Sequence, residues 1–321
     1  MSSMRRRTGA SPDASCNRDP SAARPRRDMA VPLILQAVAM VGLAALLYSS
    51  AADWFAVRAQ SATISGYIEQ AATLPTSEQQ AALATAAAYN ADLPEGVLSD
   101  PYSAPLQGHS ASGGTAYGEY TGLLKVEGTE AIGQVTYPRL QISMPIYHGT
   151  SEKVISRGAG HLYGSSLPIG GVPTHSVLTA HSGLVHASLF TRLPKAHVGD
   201  TFQIEVLGEV RHYRVTDLQT VLPDDIESLQ IEADRDLVTL MTCTPIGINS
   251  HRLLVHAERI DGPSKGAVPV LATGTGVSAG FPWWVVVFVG GSVLAAVFLF
   301  LPLRRGSMSH APQASRAPEV S

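Results

Sequence analysis

The sequence predicts a mainly β domain, a barrel or sandwich of short strands, carried between two apolar membrane spans. Three observations carry this expectation. Between residues 123 and 257, short β-rich runs alternate with clusters of Gly, Pro, Asn and Asp. Two uncharged apolar runs, 29–52 and 281–303, are each long enough to cross a hydrocarbon core, which takes about 20 helical residues. The segment between them is long enough to bury a core of its own.

Residues 1–28 are rich in Ser, Pro and Arg and predict a disordered tail, with Arg5, Arg6, Arg7, Arg18, Arg24, Arg26 and Arg27 ahead of the first span. That span, 29–52, exceeds a cleavable signal core and is followed by the interfacial pair Trp54-Phe55, so it reads as an uncleaved signal anchor. The second span, 281–303, carries Trp283-Trp284 near its entry and is followed by Arg304 and Arg305. Positive charge outside both spans places both termini, including the tail 304–321, in the cytoplasm, and residues 53–280 outside. The net charge of −3, with no basic excess, gives no sign of a nucleic-acid partner.

Residues 53–92 read as a helical hairpin: an Ala-rich pattern with Ile64, Tyr67 and Ile68, a break at Leu74-Pro75, and a second helix to about Asn90. Thr76-Ser77-Glu78-Gln79 offers that helix a capping box, and Leu83, Ala87 and Tyr89 its packing face. Residues 93–117, rich in Pro, Gly and Ser, form a long loop. The β domain, 118–262, takes its strands from runs at 123–126, 131–135, 140–147, 201–207, 211–218, 237–245 and 252–257. A short helix is expected at 187–193, and a loop with a helical turn at 221–229; 263–280 is a linker to the second span.

The chemistry centres on Cys243, which ends one β-rich run, and Arg252, which opens the next. Paired as neighbours, these strands bring the two side by side at one rim of a sheet. A buried free cysteine is often only a small apolar filler. Here a fixed cation beside the thiol favours the thiolate. Cys243 is the sole cysteine of 53–280 and Cys16 lies across the membrane, so no disulfide forms within this segment. A lone thiol kept in an oxidising compartment is better explained by chemistry than by packing.

Two motifs then resemble those of a known family. Thr239-Leu240-Met241-Thr242-Cys243 resembles the cysteine signature of the sortases, cysteine transpeptidases of Gram-positive surfaces, whose essential arginine opens the following strand. Leu178-Thr179-Ala180-His181-Ser182-Gly183 resembles their histidine motif, although Ser182 stands where many relatives carry Arg. The likeness runs from about residue 67 to 260 and implies an eight-stranded sortase barrel with Cys243, His181 and Arg252 as catalytic residues and Thr242 and Ala180 as substrate contacts. Asp100-Pro101-Tyr102, alone an ordinary turn, resembles the lid of class C, pilus-building sortases, which also carry a C-terminal span. Carried over, Tyr102 would cover Cys243 and Asp100 would face Arg252.

The roles suit acyl transfer: a thiol nucleophile, an imidazole that moves protons, and an always-charged, fork-shaped group for the oxyanion. His175, His181 and His186 lack the spacing of a helical zinc motif, so a metal reading of them is weak, and no cofactor is implied. The resemblance implies a class C sortase that cleaves an LPxTG-like signal and joins it to the lysine of another pilin, its partners being pilin subunits and the membrane. Two rivals stand beside it: a housekeeping sortase that anchors proteins to peptidoglycan, and a non-catalytic surface binding domain.

Overall fold

The computed structural model describes residues 29–93, 98, 100, 102, 115–225, 227–262 and 279–301. The described residues divide into two compact units, one of residues 29–40 with 292–301 and one within 41–291. Within the first, Gln36 Nε2 donates to the Ser292 carbonyl at 3.0 Å, tying the two chain ends together. The second holds the β domain.

Helix α1, Ala30–Thr73, is continuous across what the sequence divided into a span and the first hairpin helix. Pro32 stands in its first turn, where no N–H is needed, and the next proline is Pro75. Helix α2, Thr76–Ala91, follows. The expected capping box does not form: Pro75 takes the N-cap position and no side chain caps the helix. Gln79 Nε2 instead donates to Ala71 O and Leu74 O at 2.9 and 3.2 Å, satisfying carbonyls left over at the end of α1. The buried face of α2 is Ala86 and Asn90, with Leu83 and Tyr89 partly buried, and Ala87 faces solvent.

Two polar side chains, Tyr67 and Asn90, anchor this hairpin to the β domain. Tyr67 donates its hydroxyl to Ile132 O at 3.0 Å and accepts from Leu207 N at 2.8 Å. Asn90 pairs with the Leu167 backbone in both directions, at 3.1 and 2.7 Å.

Helix α3, Thr115–Gly122, spans residues assigned from sequence partly to the loop and partly to the barrel. The strand expected at 123–126 is absent; Leu124 has a left-handed φ of 53°, which breaks extended pairing, and Leu124 and Val126 bury their side chains in the main core without joining a ladder. The short helix expected at 187–193 is likewise replaced by turns, with Leu189 at φ 36° and a 3-10 turn only at Leu193–Lys195.

The strands are β1 (Ala131–Tyr137), β2 (Ile142–His148), β3 (Ala159–His161), β4 (Thr174–Thr179), β5 (Thr201–Val206), β6 (Glu209–Val221), β7 (Asp236–Thr244) and β8 (His251–Ile260). One-turn helix α4, Glu152–Ile155, lies between β2 and β3, and α5, Trp283–Phe300, follows the barrel. The eight strands close in the order β1-β2-β3-β4-β7-β8-β6-β5, with β2–β3 and β4–β7 parallel. Inside, Tyr137, Phe202 and Tyr213 stack at centroid distances of 5.6 and 5.7 Å within the main core.

Because side chains alternate along a strand, β4, β7 and β8 serve two clusters. Leu178, Leu240 and Val255 join the main core, whereas Val177, Met241 and Leu254 form a second cluster with Leu162 and Leu229 on the opposite face. Helices α1 and α5 are both long and apolar enough to cross a membrane.

Candidate active site

The same alternation aims the site. Cys243 is two residues beyond Met241 on β7, and Arg252 two before Leu254 on β8, so both point to the face of the second cluster. The antiparallel register sets Cys243 directly opposite Arg252. Both are 5% exposed.

His181 follows β4, whose Thr179 pairs with Met241. Its backbone is pinned on both sides: His181 N donates to Ile155 O at 3.3 Å, and its carbonyl accepts from Phe190 N at 3.0 Å. Ser182 Oγ donates to the Cys243 carbonyl at 2.7 Å, binding the histidine loop to the end of the cysteine strand. Gly183 is required where it stands, because its φ is +76° and a Cβ would collide with the Ile246 side chain.

Asp100 and Tyr102 complete the cluster; Pro101 lies outside the described residues. Asp100 accepts from Arg252 Nε at 2.7 Å and Nη2 at 2.6 Å. The Arg252 guanidinium is held further by the Asn249 and His251 carbonyls at 2.9 and 3.1 Å and lies 5.0 Å from the Tyr102 ring centre. Tyr102 donates its hydroxyl to Ala180 O at 2.6 Å and accepts from Thr179 Oγ1 at 2.6 Å, with its ring 5.7 Å from that of His181. Thr242 Oγ1 donates to the same Ala180 carbonyl at 2.8 Å, so Thr242 and Ala180, both fully buried, are engaged with each other and with Tyr102.

Burial pushes the Cys243 thiol up to about 11; Arg252 pulls it down and Asp100 pushes it up again. The expected pull of the neighbouring arginine toward the thiolate is present, but in this arrangement desolvation outweighs it and the cation is itself paired. Burial likewise raises the Tyr102 phenol, keeping it a donor.

His175 lies apart from His181, its ring nitrogens 2.8 Å from Gln230 O and 2.7 Å from Thr239 Oγ1. Two contacts escaped sequence reasoning. Glu152, on α4, brings both carboxylate oxygens to 3.0 and 2.9 Å of His181 Nε2, and nothing in the local sequence pointed to it. Leu98 packs on the second cluster beside Met241 and Leu254, and its spacing of two from Asp100 and four from Tyr102 was the available signal.

A closed barrel with a cysteine, a histidine and an arginine at one rim, under an Asp and a Tyr from the preceding segment, defines a β-barrel protein with a cysteine-centred site. Comparison with known proteins narrows this. The model of the sortase domain matches residues 135–260. The structure of sortase C1 from Streptococcus agalactiae shares 44% identity at a TM-score of 0.57, over 64% of this chain and 97% of that one. Sortase C from Streptococcus pneumoniae shares 40% at 0.56, over 63% and 98%, and sortase C-1 from Actinomyces oris 39% at 0.53, over 57% and 99%. Among curated relatives, sortase A of Streptococcus agalactiae serotype III (strain NEM316) is 29% identical over 40% of this chain, and the match spans only about half of that relative, 52%. Sortase D of Bacillus subtilis (strain 168) is 24% identical over 42% of this chain and 67% of its own length. The chain belongs to the sortase family.

Proposed function

We propose that this chain is a class C sortase, a cysteine transpeptidase that builds pili. The observation that carries the reading is the clamp of Asp100 and Tyr102 over the rim of Cys243, His181 and Arg252. Likeness to proteins titled sortase C supports it.

In this scheme the lid withdraws and an LPxTG-like signal enters. The Cys243 sulfur attacks the Thr carbonyl, and Arg252, freed from Asp100, faces the oxyanion. As the C–N bond breaks, His181 protonates the departing Gly amine and a thioester remains on Cys243. A pilin lysine amine then attacks the thioester, gives its proton to His181, and expels the thiolate as an isopeptide bond forms. No cofactor enters. Helices α1 and α5 fit a two-pass anchor in the cell membrane, with the barrel of residues 118–262 outside.

The names sortase A and sortase D among the curated relatives favour a second reading, in which the acceptor is a peptidoglycan amine. Mass spectrometry of the full chain in nanodiscs separates the two. With an LPxTG peptide and a lysine-bearing pilin domain, an acyl mass on Cys243 that moves to the pilin lysine is expected, and is lost in Cys243→Ala. Transfer only to a peptidoglycan-like amine selects the anchoring enzyme. No adduct, even with the lid residues replaced, selects the non-catalytic binding domain.

A further inference from the structure

We propose that Glu152 is the positioning residue for His181, fixing the proton on Nε2 so that Nδ1 is the nitrogen that exchanges protons with the reacting atoms. The inference rests on the transpeptidase reading above. Its geometric basis is the approach of both Glu152 carboxylate oxygens to Nε2, at 3.0 and 2.9 Å. A carboxylate only accepts, so Nε2 is the donor and its proton is held there.

The pair is prearranged by the backbone. Glu152 opens α4, whose frame is set by Val154 N and Ile155 N donating to Ser151 O at 2.8 and 3.0 Å. Ile155, one turn after Glu152 and 2% exposed, roots α4 in the protein and accepts from His181 N at 3.3 Å. Carboxylate and imidazole thus sit on two segments already bonded to each other. The His181 ring also neighbours Tyr102, at 5.7 Å between centroids. When the lid leaves to admit substrate that contact goes, and Glu152 remains to hold the ring.

The plainer reading is an ordinary surface pair, since the Glu152 side chain is 77% exposed and such pairs add little to stability. Orientation is a different quantity. In the proton cycle, the Cys243 thiol proton passes to Nδ1 as the sulfur attacks and from Nδ1 to the departing amine as C–N breaks, leaving the Nε2–H tautomer that Glu152 accepts from; Nδ1 then takes the proton of the incoming lysine amine as C–S breaks and returns it to the expelled thiolate. The opposite tautomer would turn the lone pair away from the substrate.

The test uses the full chain in nanodiscs with 15N-labelled histidine, comparing wild type, Glu152→Ala and Glu152→Asp. Long-range proton–nitrogen spectra should show His181 as the Nε2–H tautomer in wild type and as a mixture in Glu152→Ala, with Glu152→Asp between them. Transpeptidation kcat should fall about 10-fold in Glu152→Ala, a part of the 10²–10⁴ that acid–base catalysis supplies, with KM unchanged and partial rescue in Glu152→Asp. An unchanged tautomer and kcat in Glu152→Ala overturn the proposal. A wild type that forms no acyl-enzyme, yet shows the tautomer change, removes the transpeptidase reading and leaves the Glu152–His181 pairing standing.

Discussion

Asp100 and Arg252 meet as a two-pronged ion pair, with side chains only 3% and 6% exposed. A buried guanidinium costs several kcal/mol unless it is paired and hydrogen-bonded, so the carboxylate is what makes a dry, closed site compatible with a fixed cation at its floor. That cation faces Cys243 across the strand ladder. The Asp100 carboxylate and the thiol chemistry are therefore coupled: burial dehydrates the sulfur, and Asp100 occupies the charge that would otherwise favour the thiolate.

The first consequence concerns access. If Asp100 and Tyr102 act as the proposed lid, reaction at Cys243 needs an open state and its rate scales with the open fraction. Replacing Asp100 and Tyr102 together by Ala removes the ion pair and both Tyr102 hydroxyl bonds. Modification of Cys243 by a methanethiosulfonate at fixed pH should accelerate at least about 10-fold, the factor given by 1.4 kcal/mol. Equal rates in wild type and variant would dismiss the lid assignment.

The second concerns pH. Burial and Asp100 both raise the thiol, to about 11. Removing the lid weakens both influences and leaves the lowering by Arg252, so the midpoint of the alkylation rate against pH should move down toward the ordinary 9.0 in the double variant. A variant midpoint at or above that of wild type contradicts this coupling.

Much of this was legible before the structure. The β-rich runs at 237–245 and 252–257, flanking a turn, locate β7 and β8, and a strand-ending Cys followed by a strand-opening Arg places the pair at one rim. What failed was local chemistry decided by neighbours. Thr76 and Gln79 have the capping-box spacing, yet Pro75 takes the N-cap and Gln79 reaches back to α1. The run 123–126 is β-like in composition, but Leu124 and Val126 bury without a partner strand. Glu152 was invisible because it meets His181 from 29 residues away, across a turn that only the closed barrel brings near.

A finer probe of the lid is Tyr102→Phe. It keeps the ring near Arg252 and His181 but deletes the hydroxyl that donates to Ala180 O and accepts from Thr179 Oγ1. Thr242 Oγ1 still serves the Ala180 carbonyl, so no acceptor is stranded. The loss should be about 1 kcal/mol, or about 5-fold in labelling rate of Cys243, less than for Tyr102→Ala. An acceleration as large as that of Tyr102→Ala would show that the ring contributes nothing to closure.

Away from the rim, buried imidazoles tie the stability of the fold to pH. His161 and His175 are buried and His148 half-buried, and desolvation lowers His148, His161 and His175 from 6.5 to about 4, about 3 and about 4. His161 is fully buried, Nδ1 at 2.8 Å from the Tyr120 hydroxyl and Nε2 at 2.8 Å from Ser166 O. With folded values below unfolded ones, the unfolded chain binds more protons as pH falls below 6.5. Stability is therefore whole above that pH and drains between it and about 4, by up to about 1.4 kcal/mol per pH unit for each such group. His148 is the position to test, because its Nε2 is buried without a hydrogen-bond partner among the described residues. Denaturant unfolding of the full chain from pH 7.5 to 4.5 should show a shallower acid loss in His148→Leu than in wild type. Parallel curves for the two chains would mean that His148 is charged in the folded protein and that its burial does not shape the acid limb.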